Sequence, residues 1–264
     1  MKTRERLRYV KEDVSLEMGS RTVHYSMRMP EKLVSEEIAL IVPGIMAKRR
    51  LYNPFARDLA ERGVASVTMA HESASPLCTD EVVAVVESLA DNGQKPIRLI
   101  GHSLGGMHAT KAALQAPDDI SGLLLMQPAG YGGVHPLHFA SSLRERPDNT
   151  RLSDEIRVLL DGIDYLVSSR PDLLLQTIVT ASRHQVLERA IHLESHISRD
   201  AILFPDDRLI RTGEVQKGLA QAGFTMHELD ARIHAGHNAI MYRADAVADQ
   251  TVAIMKNTGF MVAA

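Results

Sequence analysis

The sequence predicts an α/β fold in which helices cover both faces of a mainly parallel central sheet. Short, continuous apolar runs are typical of strands that are buried on both faces. Amphipathic segments separate these runs, and such alternation implies parallel strands joined by right-handed crossovers. The predicted strands lie at residues 38–42, 64–69, 96–100 and 122–126, and the predicted helices at residues 53–62, 79–91 and 104–115.

Two segments of alternating polar and apolar residues precede this core. Residues 7–17 and 21–29 flank a Met-Gly-Ser turn, which predicts an opening antiparallel hairpin. The remaining predicted elements are strands at residues 201–204 and 224–229 and helices at residues 214–221 and 244–256.

The alternation of strands and helices breaks after residue 128. Residues 131–199 contain no convincing buried strand and combine a polar, arginine-rich stretch with helical periodicity. We therefore predict that residues 1–130 and 200–264 form one α/β core, with residues 131–199 inserted as a mostly helical lid.

Composition excludes several classes of partner and site. The net charge of −3 arises from mixed signs, which argues against general affinity for nucleic acid or an anionic membrane. The single cysteine, Cys78, rules out an internal disulfide, and the charged N-terminal segment lacks the apolar centre of a signal peptide. No apolar run approaches the roughly 20 residues of a spanning helix. We expect a cytoplasmic protein without a metal or other cofactor, because its 12 histidines lack the spacing of metal ligands.

A Gly-x-Ser-x-Gly pattern at residues 101–105 lies between a predicted buried strand and a predicted helix. A sharp strand-to-helix turn exposes the serine hydroxyl at the edge of the sheet, and side chains at the glycine positions would collide with neighbouring backbone. We predict that Ser103 is a nucleophile. The Leu104 N–H group, at the start of the helix, is then a predicted donor to a developing oxyanion.

Residues 101–106 read Gly-His-Ser-Leu-Gly-Gly and resemble the nucleophile elbow of the α/β-hydrolase fold family. The resemblance covers about residues 20–130 and 200–264 and gives no guidance on individual residues of the predicted lid. It implies an α/β-hydrolase fold and a catalytic triad in the chain order Ser, Asp, His.

The resemblance assigns the acid of the triad to a turn after residues 201–204. Asp207 is followed there by one variable and two apolar residues, as in the strand-end turn of the family. A buried carboxylate at this point would accept from histidine Nδ1 and fix the tautomer of the ring. Asp206 is the neighbouring alternative, and the pattern favours Asp207.

The resemblance assigns the base to the loop after the last predicted strand. His237 follows a glycine and lies shortly before the closing helix, which matches the position of the family's histidine. His234 is the alternative in the same loop.

The second oxyanion donor is expected in the loop after residues 38–42. The sequence there reads Pro-Gly-Ile-Met, and the N–H group of Ile45 is the candidate. The family commonly has a histidine where Pro43 stands. Because the donor is a backbone group, this departure need not abolish its function.

Several side chains near these loops are candidates for substrate binding. The basic triplet at residues 48–50 could hold a carboxylate or phosphate, although a solvated loop before a helix is the simpler interpretation. The candidate substrate contacts beside the oxyanion loop, the nucleophile and the following strand are Met46, His102, Met126 and Tyr131.

The chemistry that the resemblance implies is acyl transfer through a serine. Dehalogenases and epoxide hydrolases of this fold use an aspartate nucleophile, and the dehalogenases also need tryptophan, which this sequence lacks. Few aromatic residues favour a small or medium acyl group. We predict a carboxylic-ester hydrolase acting on a small-molecule acyl substrate, with a thioesterase or acyltransferase for acyl carriers as the alternative. A non-catalytic binding protein on the same fold is the third hypothesis, which the intact triad disfavours.

Overall fold

The computed structural model describes residues 6–45, 49–69, 78–94, 96–132, 186–207, 209–230 and 236–257. Most of the predicted lid, residues 131–199, lies outside these ranges. The described part contains eight strands and seven helices.

The strands are β1 (Tyr9–Met18), β2 (Arg21–Pro30), β3 (Ile38–Val42), β4 (Ser66–Met69), β5 (Ile97–His102), β6 (Ile120–Met126), β7 (Ser198–Leu203) and β8 (Thr225–Glu228). The helices are α1 (Arg49–Ala60), α2 (Thr79–Asp91), α3 (Leu104–Gln115), α4 (Leu187–Ala190), α5 (Thr212–Gln221), α6 (Ala239–Tyr242) and α7 (Ala244–Asn257).

All eight strands form one sheet in the order β1-β2-β4-β3-β5-β6-β7-β8. β2 pairs antiparallel with both β1 and β4, and every other neighbouring pair is parallel. All residues of β3, β5 and β6 are buried, as expected for parallel strands covered on both faces. The predicted α/β fold with an opening hairpin is therefore confirmed.

Two apolar cores lie on opposite faces of the sheet. Helices α2, α3 and α5 cover one face, where Val85, Met107 and Leu219 are buried. Helices α1 and α7 cover the other face, where Phe55 and Val247 are buried. Alternate residues of β3 contribute to the two cores, because successive strand side chains point to opposite faces. Both faces of the sheet are thereby covered beneath the loops at its carboxyl edge.

A buried cluster of charges lies near the amino end of β5. The guanidinium of Arg98 donates to both carboxylate oxygens of Glu37, at 2.9 and 3.0 Å, and both side chains are inaccessible to solvent. Ser121 Oγ donates to the same carboxylate at 2.6 Å, and Asp200 Oδ2 lies 3.5 Å from Arg98 Nη1. The cluster joins β5 to its neighbours at the end of the strand opposite His102.

Two element boundaries differ from the sequence prediction by more than two residues. Helix α1 begins at Arg49 instead of residue 53, and β7 begins at Ser198 instead of residue 201. β7 therefore starts inside the range predicted for the lid. In the described ranges, none of the helices has both the length and the apolar character needed to cross a membrane.

Candidate active site

Ser103 lies at the turn between β5 and α3 in a strained backbone conformation. Its φ of 54° and ψ of −123° are unfavourable for a residue with a side chain, and strain of this kind costs about 1–3 kcal/mol. Backbone hydrogen bonds hold the turn in place: Ser103 N–H donates to the Met126 carbonyl at 3.1 Å. The Ser103 carbonyl accepts from Gly106 N–H at 3.0 Å and from Ala129 N–H at 2.9 Å. The turn is thus anchored to β6 and to the segment that follows it.

The glycines around Ser103 are required by close approach of the backbone. A Cβ atom on Gly101 would lie 2.6 Å from Gly106 Cα, and one on Gly105 would lie 2.1 Å from the Val42 carbonyl oxygen. Neither distance is tolerable for real atoms. The glycines of the motif let the first turn of α3 lie directly against β5 and the end of β3.

Three side chains from separate parts of the chain form a continuous hydrogen-bonded series. His237 Nε2 lies 2.9 Å from Ser103 Oγ, and His237 Nδ1 lies 2.6 Å from Asp207 Oδ2. A carboxylate can only accept, so Nδ1 carries the proton and Nε2 is left to accept from the serine hydroxyl. All three residues are buried. The structure therefore brings the predicted nucleophile, base and acid together in the order that proton transfer requires.

Asp207 and its neighbour Asp206 occupy different surroundings. Asp207 follows β7, and its Oδ1 accepts from the backbone N–H groups of Leu209 at 2.8 Å and Ile210 at 3.0 Å. Its other oxygen is then aimed at His237. Asp206 is exposed. Of the two aspartates that the sequence left open, Asp207 is the one that contacts the histidine, whereas His234 lies outside the described residues.

A buried glutamine supports the loop that carries Asp207. Gln127 follows β6 with a positive φ of 43°. Its Oε1 accepts from Phe204 N–H at 2.9 Å, and its Nε2 donates to the Ile210 carbonyl at 2.9 Å. Gln127 therefore spans the two ends of the turn that contains Asp207. Sequence reasoning missed this residue, although a polar side chain directly after a buried strand was a signal that could have found it.

The loop after β3 lies against the nucleophile. A Cβ atom on Gly44 would stand only 3.1 Å from Ser103 Cβ, so the backbone of the loop contacts the serine. Gly44 N–H donates to the Tyr52 hydroxyl at 2.9 Å, which leaves the next amide, that of Ile45, as the candidate oxyanion donor of this loop. Leu104 is the first residue of α3, where N–H groups have no partner within the helix.

Three predicted substrate contacts have other environments. Both ring nitrogens of His102 are hydrogen-bonded within the protein, so the ring has no polar group to offer a substrate. Met126 is fully buried in the core beneath α1 and α7. Tyr131 is also buried, its hydroxyl bonded to Thr110 Oγ1 at 2.9 Å. The burial of these three side chains does not support the expectation that they contact substrate. Met46 lies outside the described residues.

His102 is buried between the nucleophile and α1. Its Nδ1 lies 2.6 Å from the Tyr52 hydroxyl, and its Nε2 lies 2.9 Å from the His237 carbonyl oxygen. Burial, together with the neighbouring charge of His237, lowers the pKa of His102 to about 3. His102 is therefore neutral at physiological pH. Sequence reasoning missed its partner Tyr52, because helix α1 was predicted to begin at residue 53 and Tyr52 was left outside it.

The basic triplet does not present its central residue to a substrate. Arg49 Nη1 lies 2.9 Å from Asp13 Oδ1 and 2.8 Å from Ser26 Oγ, so its charge is engaged with the opening hairpin. Lys48 lies outside the described residues. Within the described ranges, no three His, Cys, Asp or Glu side chains converge as metal ligands would.

A curated relative shares part of this chain. The chain is 30% identical over 132 residues to lipase LipV of Mycobacterium tuberculosis (strain ATCC 25618 / H37Rv), over 48% of this chain and 45% of the relative. The match thus spans less than half of the relative's length.

Solved structures show the same fold at low identity. A bacterial membrane phospholipase A matches with a TM-score of 0.70 at 15% identity, over 94% of this chain and 86% of that one. The thioesterase domain of the curacin biosynthetic pathway matches with a TM-score of 0.63 at 16% identity, over 92% of this chain and 99% of that one. A family model described as the α/β hydrolase family matches residues 39–250, most of the chain. The chain belongs to the α/β-hydrolase family.

Proposed function

We propose that this protein is a serine esterase that hydrolyses carboxylic esters of small or medium acyl groups through an acyl-enzyme on Ser103. One observation carries the proposal: the series of hydrogen bonds from Ser103 Oγ through His237 to Asp207, at 2.9 and 2.6 Å. Both distances lie within the reach that a nucleophile and its base require before reaction.

In the first half of the reaction, Ser103 Oγ attacks the ester carbonyl while His237 Nε2 takes the hydroxyl proton. The carbonyl oxygen becomes an oxyanion, which the N–H groups of Ile45 and Leu104 stabilise. His237 then returns the proton to the leaving alcohol as the carbon–oxygen bond breaks. The products of this half are the free alcohol and an ester between the acyl group and Ser103.

In the second half, water replaces the alcohol. His237 takes a proton from water as the water oxygen attacks the acyl-enzyme, and the proton then passes to Ser103 Oγ as the acid departs. The carboxylate of Asp207 stabilises the imidazolium in both halves. Its second oxygen is fixed by two backbone N–H groups, so the carboxylate does not need to reorient as charge develops.

The ester preference rests on the family and on composition. The curated relative is named a lipase, and the triad geometry suits acyl transfer to water. Only 4% of the residues are aromatic, which favours an aliphatic acyl group over a large flat one. The thioesterase alternative depended on the basic triplet. Because Arg49 is paired with Asp13, the central charge of the triplet no longer supports it.

A fluorophosphonate probe tests the nucleophile. Ser103 Oγ attacks the phosphorus, fluoride leaves, and His237 takes the serine proton. We expect rapid labelling of the wild-type protein and of the control Ser88→Ala, whose hydroxyl lies on α2, but none of Ser103→Ala. Wild-type protein that fails to react, or Ser103→Ala that still reacts, would overturn the proposal.

A substrate panel tests the acyl preference. Acetyl, butyryl, octanoyl and palmitoyl esters of p-nitrophenol are compared by kcat/KM with the matching acyl thioesters. We expect the highest values for the acetyl and butyryl esters. A maximum at palmitoyl, or higher values for thioesters than for esters of the same chain, would contradict this part of the proposal.

A further inference from the structure

A chain of buried hydrogen bonds connects the loop after β3 to the backbone of His237. Gly44 N–H lies 2.9 Å from the Tyr52 hydroxyl, which lies 2.6 Å from His102 Nδ1. His102 Nε2 lies 2.9 Å from the His237 carbonyl oxygen. Tyr52 is fully inaccessible to solvent and His102 is 2% exposed, so water does not compete for these groups.

Every proton in this chain can be assigned. The His237 carbonyl can only accept, so the proton of the His102 ring is on Nε2. Nδ1 is then an acceptor and receives the Tyr52 O–H. The Tyr52 oxygen, having donated its proton, accepts from Gly44 N–H. The hydrogen bonds thus run in one direction, and each N–H and O–H group in the series has an acceptor.

The two ends of this hydrogen-bonded series belong to the two parts of the catalytic machinery that must be aligned. One end is the amide directly before Ile45, the candidate oxyanion donor, and the other is the main chain of the base. We propose that Tyr52 and His102 are positioning residues that fix the oxyanion loop and His237 relative to Ser103. This inference rests on the proposed esterase function, because it assigns a role to the same site.

The neutral form of His102 is essential to this role. A protonated ring would lose the acceptor at Nδ1, and the Tyr52 hydroxyl would have to turn away. It would also place a positive charge next to the ring of His237, whose centroid is 4.9 Å away, at the step where that ring itself becomes positive. Burial prevents this, since it lowers the pKa of His102 to about 3.

Tyr52→Phe tests the hydroxyl and leaves the packing of the ring intact. We expect kcat for p-nitrophenyl acetate and the rate constant of phosphonylation to fall on the order of 10- to 100-fold, because a displaced donor loses most of its transition-state contact. KM should change less than about twofold, since substrate contacts remain.

Tyr25→Phe is the matched control. Tyr25 is also buried, on the opposite face of the sheet from Tyr52, and its hydroxyl lies 3.5 Å from Ser88 Oγ. We expect this variant to keep wild-type kcat. A Tyr52→Phe protein that is folded by circular dichroism and keeps kcat within twofold of wild type would overturn the inference.

Two variants of His102 distinguish a positioning role from a packing role. His102→Gln supplies one acceptor and one donor through its amide, whereas His102→Leu supplies neither. We expect kcat to be at least tenfold higher for His102→Gln than for His102→Leu. Equal kcat values for the two folded variants would mean that only the volume of the side chain matters.

The ring protons give a readout that does not depend on activity. We expect the ¹⁵N spectrum of the His102 ring to show the neutral Nε2–H tautomer at pH 7 and still at pH 5. A proton on Nδ1, or a charged ring at pH 5, would overturn the inference while leaving the esterase proposal intact. If wild-type protein does not react with the fluorophosphonate, both the esterase proposal and the positioning role of Tyr52 and His102 are overturned.

Discussion

The neighbouring aspartates at positions 206 and 207 illustrate how a single residue can determine the chemistry of the site. Asp207 is turned inward by hydrogen bonds from Leu209 and Ile210, and its remaining oxygen reaches His237. Asp206 is exposed. The sequence could place the acid within this pair, but the choice depends on which carboxylate receives the backbone N–H groups of the following turn.

The first prediction compares these two residues. Asp207→Asn should lower kcat for p-nitrophenyl acetate on the order of 10⁴-fold, because an amide can donate to Nδ1 and stabilise the wrong histidine tautomer. Asp206→Asn, a change of the same size in an exposed side chain, should leave kcat within about twofold of wild type. A large loss from Asp206→Asn together with a small one from Asp207→Asn would reverse the assignment.

Tyr52 shows what local patterns cannot reveal about single residues. Its hydroxyl is important because it meets Gly44 and His102, which lie 8 and 50 residues away along the chain. Neither separation matches a motif spacing. His102 could be found beside the nucleophile in the sequence, but the direction of its ring is set by these partners.

At the scale of elements, the sequence was most accurate for one buried strand and two helices. The bounds of β3, α2 and α3 agree with the prediction to the residue. Helix α1 starts at Arg49, four residues earlier than predicted, and Pro54 lies inside it. β7 starts earlier because Asp200, a polar residue, is buried beside Arg98. Such a pairing between distant strands leaves no trace in local hydrophobicity.

The second prediction concerns the close contact between α3 and β3. Gly105→Ala would push a Cβ atom to 2.1 Å from the Val42 carbonyl and 2.5 Å from that of Pro43. We expect a loss of about 1–3 kcal/mol in the free energy of unfolding and at least a tenfold fall in kcat, because Pro43 leads into the oxyanion loop. Urea denaturation and ester hydrolysis measure the two effects.

The control for this substitution is Gly213→Ala, in the first turn of α5. No atom lies within 4 Å of the added Cβ there, and alanine is the better helix former. We expect unchanged kcat and a free energy of unfolding equal to that of wild type or slightly higher. If both variants lost activity equally, crowding at the elbow would not explain the effect.

At the scale of the whole molecule, the two ends of the sheet serve different purposes. The carboxyl ends of β5 and β7 lead into the proposed catalytic residues Ser103 and Asp207. The amino end of β5 instead carries the ion pair of Arg98 and Glu37, with both side chains inaccessible to solvent. Stability and catalysis should therefore respond separately to substitutions at the two ends.

The third prediction tests this separation. Arg98→Met removes one partner of the buried pair and leaves Glu37 without its counter-charge. We expect a loss of about 3–5 kcal/mol in the free energy of unfolding by urea denaturation. At temperatures where the variant stays folded, kcat for p-nitrophenyl acetate should remain within about twofold of wild type. A tenfold fall in kcat at full helicity would contradict the separation.

The fourth prediction concerns the pH dependence of stability. The pKa of His102 is about 3 in the folded protein and 6.5 ordinarily, so the unfolded chain binds the extra proton first. The contribution of His102 is complete above pH 6.5 and is lost as pH falls towards 3, at up to about 1.4 kcal/mol per pH unit.

This contribution is measured as a difference between wild type and His102→Gln. Urea denaturation between pH 4.5 and 7.5 should show a steeper loss of stability on acidification for the wild type, since glutamine does not titrate. Above pH 7 the two slopes should coincide. Parallel slopes over the whole range would mean that His102 is protonated equally in both states.

The contact between Ser103 and His237 has a consequence for the order of events during folding. Ser103 and His237 are 134 residues apart in the chain, and parallel strands from the intervening segment must pair before the two side chains can meet. Contacts between such distant residues form slowly, because the loops they close are long. Labelling of Ser103 during refolding should therefore lag behind the recovery of helical circular dichroism. The rate at which Ser103 becomes reactive would then report the final step of folding.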